Sequence, residues 1–246
     1  MSMLAIDLFC GLGGWSEGLL SEGYDVIGFD IERRPYPADL VLQDAKTLDG
    51  SRFKDAQLIV ASPPCQEYSY MAMPWSRGKK IQQALLGNGD FPEPYTGSRT
   101  VAELNALFDS CFRIQREASE AAGHHVPMVV ENVRGARPWV GEAAWSYGSF
   151  YLWGDVPALM PVTVATKDGG RKVPSFRFDG NGSFQSAAVR RTNKENGIKQ
   201  GGNWWDDPDS MSRKYSYKSS ARKHASAMIA KIPLPLARHI ARVYKS

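Results

Sequence analysis

The chain has 246 residues, 43% of them hydrophobic and 23% charged, which is enough apolar material for one large folded domain and excludes wholesale disorder. No apolar run approaches the ~18 residues of a membrane span, and the first residues lack the basic stretch of a leader, so neither anchor nor leader is expected. The net charge of +4 joins two unlike parts: residues 1–164 carry 13 Lys+Arg against 20 Asp+Glu, and residues 165–246 carry 17 against 6. An acidic body with a basic last third predicts a polyanionic partner. Cys10, Cys65 and Cys111 match neither a disulfide framework nor a zinc cluster. A reduced, cytoplasmic protein without a metal is expected.

Strand and helix signals alternate from the start. Residues 5–9 form a short apolar strand, Gly11 to Gly14 a glycine-rich turn, and a helix follows to about Glu22. Residues 25–30, 40–42 and 57–62 read as the second, third and fourth strands, the last ended by Pro63-Pro64. Residues 100–122 place Val101, Leu104, Leu107, Phe108, Cys111, Phe112 and Ile114 at helical spacing, and residues 127–132 are a fifth strand. This rhythm predicts an α/β fold, a mostly parallel sheet with helices on both faces, whose ligands bind at the carboxyl ends of the strands. Two segments break it. Residues 67–99, rich in Pro, Gly, Tyr and Met, are expected to be a long functional loop. Residues 163–219, rich in Gly, Asn and basic residues, are expected to be a small insert in a domain made of residues 1–162 and 220–246. The end, residues 221–244, reads as helix broken at Pro233 and Pro235.

The turn Asp7-Leu8-Phe9-Cys10-Gly11-Leu12-Gly13-Gly14 lets backbone approach a ligand, but its spacing is not that of a dinucleotide fingerprint. Asp30, ending the second strand, is placed to bind ribose hydroxyls, and Asp44, after the third, to accept from an adenine amino group. Together they suggest a nucleoside cofactor site of the S-adenosylmethionine type. Pro63-Pro64 fix the backbone and present Cys65 at the sheet edge, where a thiol can act as a nucleophile. Glu131 ends the fifth strand on the same edge. A carboxylic acid there can hold a heterocycle and exchange a proton with it.

The segments DLFCGLGGW, SPPCQEYS and VVENVRG, in this order, resemble motifs of the cytosine-C5 DNA methyltransferase family. Residues 227–237 are similar to the family's final motif. The resemblance implies a Rossmann-like methyltransferase fold, S-adenosyl-L-methionine as cofactor and DNA as partner; a monomer is expected. It implies that Cys65 and Glu131 are catalytic, with Cys65 adding to C6 of a flipped cytosine and Glu131 holding its N3 edge. Phe9, Gly11, Leu12, Gly14, Asp30, Ile31, Asp44 and Pro64 would line the cofactor site, and Gln66, Ser69 and Asn132 would contact the substrate. Residues 67–80 would close on DNA, with Tyr68, Tyr70 and Trp75 as stacking faces and Arg77, Lys79 and Lys80 as phosphate cations.

The chain departs from the family in three places. Only residues 163–219 are left for target recognition, so short or loose specificity is expected. The Gln-x-Arg-x-Arg motif is missing: residues 149–153 hold no arginine, and Arg190 and Arg191 are expected to supply the cations. Lys231 stands at or next to the place of an asparagine beside the cofactor. A lysine near a sulfonium is repelled, and a carboxylate on the transferred carbon would turn that repulsion into a salt bridge. Lys231 therefore opens a second donor, carboxy-S-adenosyl-L-methionine, and a DNA cytosine carboxymethyltransferase; the alternative is a lysine at a helix end. A catalytically degenerate DNA-binding module and an RNA target are the other readings carried.

Overall fold

The structure, a computed structural model, describes residues 3–65, 68, 75–89, 101–147, 150–160, 227 and 230–245. The central strand β1 (Met3–Leu8) lies between β2 (Tyr24–Asp30) and β4 (Ala56–Ala61). Outside them lie β3 (Asp39–Leu42), next to β2, and β5 (Met128–Asn132), next to β4, and these five strands are all parallel. On the far side of β5 runs β7 (Phe150–Gly154), antiparallel to it, and β6 (Trp145–Tyr147) pairs antiparallel with β7. The order is β3-β2-β1-β4-β5-β7-β6. The fold is thus the mostly parallel α/β sheet that the sequence rhythm predicts, of the Rossmann-like kind that the resemblance implies.

The two-residue period of the strands builds two apolar layers. Ile6, Leu8, Ile59, Met128 and Val130 face one side, where they meet Phe108, Cys111, Ile114 and Ala118 of α3 (Val101–Ala122). Ala5, Leu58, Val60 and Val129 face the other, against Trp15 and Leu19 of α1 (Gly14–Ser21) and a C-terminal helix. A helix α2 (Trp75–Leu85) precedes α3, and a single turn, α4 (Arg137–Val140), follows β5. The long-loop expectation for residues 67–99 is therefore corrected over Trp75–Leu85. Among the described residues no helix is long and apolar enough to cross a membrane.

The C-terminal helix α5 (Leu234–Val243) buries Leu236, Ala237, Ile240 and Ala241, the stripe of an amphipathic helix. Of the two expected breaks, only Pro233 marks one. Pro235 lies in the first turn, where its missing N–H costs no hydrogen bond. Glycine permits the close crossing of α5 over α1: a Cβ at Gly18 would stand 2.4 Å from the Cβ of Ala237. The Tyr24 hydroxyl donates to the Ala241 carbonyl at 3.0 Å, and Arg238 and Arg242 both donate to Glu22, each at 2.9 Å. Those guanidinium groups, Arg242 foremost, hold the Glu22 carboxyl below its usual range. Arg238 is half-buried and Arg242 exposed, so packing more than these ion pairs secures α5. Gly18→Leu should cost roughly 1–3 kcal/mol by overpacking, read as a Tm lower by about 3–10 °C in calorimetry. An unchanged Tm would contradict the close crossing.

Candidate functional site

The strand order reverses between β1 and β4, and in open α/β sheets the crevice outside the carboxyl ends at that point is where ligands bind. Two of the sequence motifs leave the sheet there. After β1 the chain turns through Phe9, with φ 57°, and Gly13, with φ 73°, before entering α1. Phe9 is the only non-glycine residue with positive φ among the described residues, a conformation that structures retain where a close approach needs it. Gly13 caps α1 without a side-chain hydrogen bond, which leaves first-turn N–H groups for an anion such as a carboxylate. After β4 the chain leaves through Ser62, Pro63 and Pro64 to Cys65, which is half-buried.

Hydrogen bonds tie these exits together. The Trp15 indole donates to Ser62 Oγ at 3.0 Å, and the Ser62 N–H donates to the Leu8 carbonyl at 3.1 Å. From β5, Asn132 donates its side-chain amide to the Pro63 carbonyl at 3.0 Å. The Val133 N–H donates back to the Asn132 side-chain oxygen at 2.8 Å. Asn132 is thus buried and committed to holding the loop that carries Cys65, rather than turned outward toward a substrate. Glu131, beside it, is buried, at 6% exposure.

The expected cofactor residues gather at the same edge. Asp30 accepts the Gly11 N–H on one carboxylate oxygen and the Glu32 N–H on the other, both at 2.9 Å, and each oxygen keeps a lone pair for a hydroxyl. Ile31 is 71% exposed and Leu42, in register with Asp30, is 46% exposed, so an apolar ledge flanks that carboxylate. Asp44 caps the turn Ala45–Thr47 through the Lys46 N–H at 2.9 Å and stays half-buried. Gly11 and Leu12 lie half-buried in the turn, and Pro64 is exposed. A nucleoside bearing a charged amino-acid tail fits this set: hydroxyls at Asp30, a flat ring on Ile31, a carboxylate at the α1 amides.

The final motif returns to the same turn. Ile232 backbone packs on Gly14 so closely that a Cβ there would lie 2.5 Å from the Ile232 nitrogen. Lys231 does reach the edge, but its ammonium is 2.5 Å from the Glu17 carboxylate in the first turn of α1. This corrects the premise of an uncompensated lysine: its charge is met from within the protein.

Two further expectations change or go unaddressed. Tyr68 is no stacking platform: it is 2% exposed, with its hydroxyl bonded to Leu104 and Asn105, because a ring this close to α3 is drawn into the core. Gln66, Ser69, Tyr70, Arg190 and Arg191 lie outside the described residues. Strand β7 carries no arginine, as its sequence requires. Among the described residues no group of three or more His, Cys, Asp or Glu side chains could hold a metal.

Burial sorts the cysteines. Cys10 and Cys111 are buried, and desolvation pushes both thiols up, away from thiolate chemistry. Cys65 alone of the three reaches the surface of the crevice. Sequence reasoning gave no role to Trp15, Ser16, Tyr36 or Ser62, although Trp15 and Ser62 stand inside the segments DLFCGLGGW and SPPCQEYS, and that placement was the available signal for those two.

Asp7, the first residue of the glycine motif, is fully buried, and burial raises its carboxyl from 3.8 to about 7. An acid raised in the folded state contributes stability below its unfolded value, and that contribution is lost as pH rises through the folded one. The stability of the wild type relative to Asp7→Asn should therefore fall between pH 4 and 8, by on the order of 4 kcal/mol for a shift of this size. Denaturant melts of both proteins across that range check it. A pH-independent difference would contradict a neutral Asp7 at low pH.

Residues 3–79 match the C-5 cytosine-specific DNA methylase family. No curated protein matches the chain. Among solved structures, a prophage-encoded E. coli protein described as a DNA modification methyltransferase is 20% identical, with a TM-score of 0.35. That match covers 55% of this chain and 33% of the other. Entamoeba histolytica methyltransferase EhMeth is 16% identical over 56% of this chain and 40% of its own, with a TM-score of 0.35. S. pombe Dnmt2 methyltransferase is 11% identical over 99% and 98%, with a TM-score of 0.41. The chain thus spans only a third to two fifths of the length of the first two.

Proposed function

We propose, from the match of residues 3–79 to the C-5 cytosine-specific DNA methylase family, that the chain transfers a methyl group from S-adenosyl-L-methionine to C5 of cytosine in DNA. One observation carries the reading. The glycine turn, the Pro63–Cys65 exit and the end of β5 meet at one crevice, joined by the Trp15–Ser62 and Asn132–Pro63 hydrogen bonds.

Phe9, Gly11, Leu12, Gly14, Asp30, Ile31, Asp44 and Pro64 hold the donor, which when bound supplies an electrophilic carbon. The chain's own residues prepare the base. Cys65 adds as thiolate to C6, and the electron pair of the C5–C6 bond moves so that C5 becomes nucleophilic. Glu131 hydrogen-bonds N3 and the amino group and stabilises the ring as charge develops. After transfer, loss of the C5 proton expels Cys65 and restores the ring. Asn132 and Trp15 position the loop rather than touch the base. The basic insert, residues 163–219 with Arg190 and Arg191, supplies phosphate contacts, and Gln66 and Ser69 line the base pocket. A carboxylated donor has no support in the site, since Glu17 already pairs with Lys231.

The test is mass spectrometry of nucleosides from DNA incubated with the protein and each donor in competition. 5-Methylcytosine is the expected product. 5-Carboxymethylcytosine would overturn the donor assignment. Neither product on DNA would favour a binding module, or an RNA substrate if modified cytosine appears in RNA.

A further inference from the structure

The connection between β2 and β3, residues 31–38, folds back over the glycine turn instead of forming a crossover helix. Two contacts hold it there. Pro37 lies against Gly13, where a Cβ would stand 2.4 Å from its Cδ. The ring of Tyr36 covers Gly28 of β2, where a Cβ would stand 2.3 Å from the ring and hydroxyl. The hydroxyl goes deeper. It lies 2.5 Å from Ser16 Oγ, in the first turn of α1, and 3.4 Å from Asp7 Oδ2 at the end of β1. Ser16 donates to the same Asp7 oxygen at 2.6 Å. Asp7 Oδ1 has no hydrogen-bond partner among the described residues. One tyrosine therefore fastens the connection between Asp30 and Asp44 to both the glycine turn and α1.

We propose that Tyr36 is a positioning residue of the donor site: through Ser16 and Asp7 its hydroxyl sets the spacing between the glycine turn and the Asp30–Ile31 edge. This rests on the donor reading above. The donor must touch both sides, the turn and α1 amides on one and Asp30 on the other, so its affinity follows that spacing. No reacting atom touches Tyr36.

The network also makes donor affinity depend on pH. The groups that act on Asp7 are Ser16 and Tyr36, whose hydrogen bonds favour the carboxylate, and Asp30, which disfavours it. Cys10 lies in the same set, its thiol held up by burial, by Asp7 and by Asp30. Closure over the turn buries Asp7, and burial outweighs the hydrogen bonds from Ser16 and Tyr36, so the closed connection favours the protonated carboxyl. Ionising it there favours opening. Affinity in the wild type should therefore fall as pH passes through about 7. Tyr36→Phe keeps the ring over Gly28 but removes a hydrogen bond that favours the carboxylate, so the fall should move to higher pH.

The experiment is calorimetric titration of S-adenosylhomocysteine into wild type, Tyr36→Phe and Asp7→Asn from pH 5.5 to 8.5, with thermal melts of each unliganded protein. The expected result has three parts. Tyr36→Phe binds roughly fivefold more weakly at about pH 6, the size of a lost hydrogen bond between neutral groups. Its affinity fall moves up in pH, and Asp7→Asn shows no such fall. The unliganded Tyr36→Phe melts show the same upward displacement in their pH dependence. Wild-type affinity and pH profile retained in Tyr36→Phe would overturn this inference alone. Weaker binding with an unmoved pH profile would also overturn it, because a merely structural tyrosine does that. A wild type that binds no S-adenosylhomocysteine at any pH would overturn the donor reading, and this inference with it.

Discussion

Cys65→Ala is expected to reduce transfer by roughly 10⁴-fold or more, the scale at which loss of a covalent nucleophile acts. Affinity for the donor should stay within about threefold, since Cys65 bonds the substrate only in the reaction and contributes little to ground-state binding. The structure makes this a sharp expectation. The other two thiols are buried and their ionisation is disfavoured, so neither can stand in. DNA carrying 5-fluorocytosine should trap the wild type covalently, because fluorine at C5 cannot leave as a proton does, and should fail to trap the variant. Equal trapping in both would remove Cys65 from its role.

Glu131→Gln should keep the fold and lose roughly 10²–10⁴ of the rate, the usual worth of a positioned acid or base. The side chain is buried on a strand whose backbone pairs with Leu152 of β7 and Val129 and Val130 of which pair with β4, so an isosteric amide leaves the sheet intact. An amide can still hydrogen-bond the base but cannot supply or share a proton. Single-turnover rates with saturating donor and DNA check this, with circular dichroism as the control for folding. A variant that transfers at the wild-type rate would show that Glu131 only shapes the pocket.

The central sheet was legible because β1, β4 and β5 are buried on both faces and so read as apolar runs closed by glycine or proline. Their ends coincide with the motifs, which is why the edge carrying Cys65 and Glu131 was also legible. β6 was not, since three residues carry no period, and only pairing with β7 makes them a strand. α2 lies among Pro, Gly and Met residues that mask its helical stretch. Other features depend on partners far along the chain. Lys231 meets Glu17 across 214 positions, and no local pattern announces that its charge is compensated. Tyr68 and Tyr36 are both aromatic residues in connecting segments, yet each is drawn inward, Tyr68 toward α3 and Tyr36 onto Gly28 and Asp7. A sequence distinguishes a stacking ring from a packing ring only when the surface it covers is known.

The most direct measurement is the site of the covalent bond. Wild-type protein, S-adenosyl-L-methionine and 5-fluorocytosine DNA are incubated, digested with protease and nuclease, and the cross-linked peptide is fragmented in a mass spectrometer. The account predicts a cytosine nucleotide bonded to the sulfur of Cys65 and carrying one added methyl group. A bond at Cys10 or Cys111, or methylated cytosine formed with no bond to any cysteine, would contradict it.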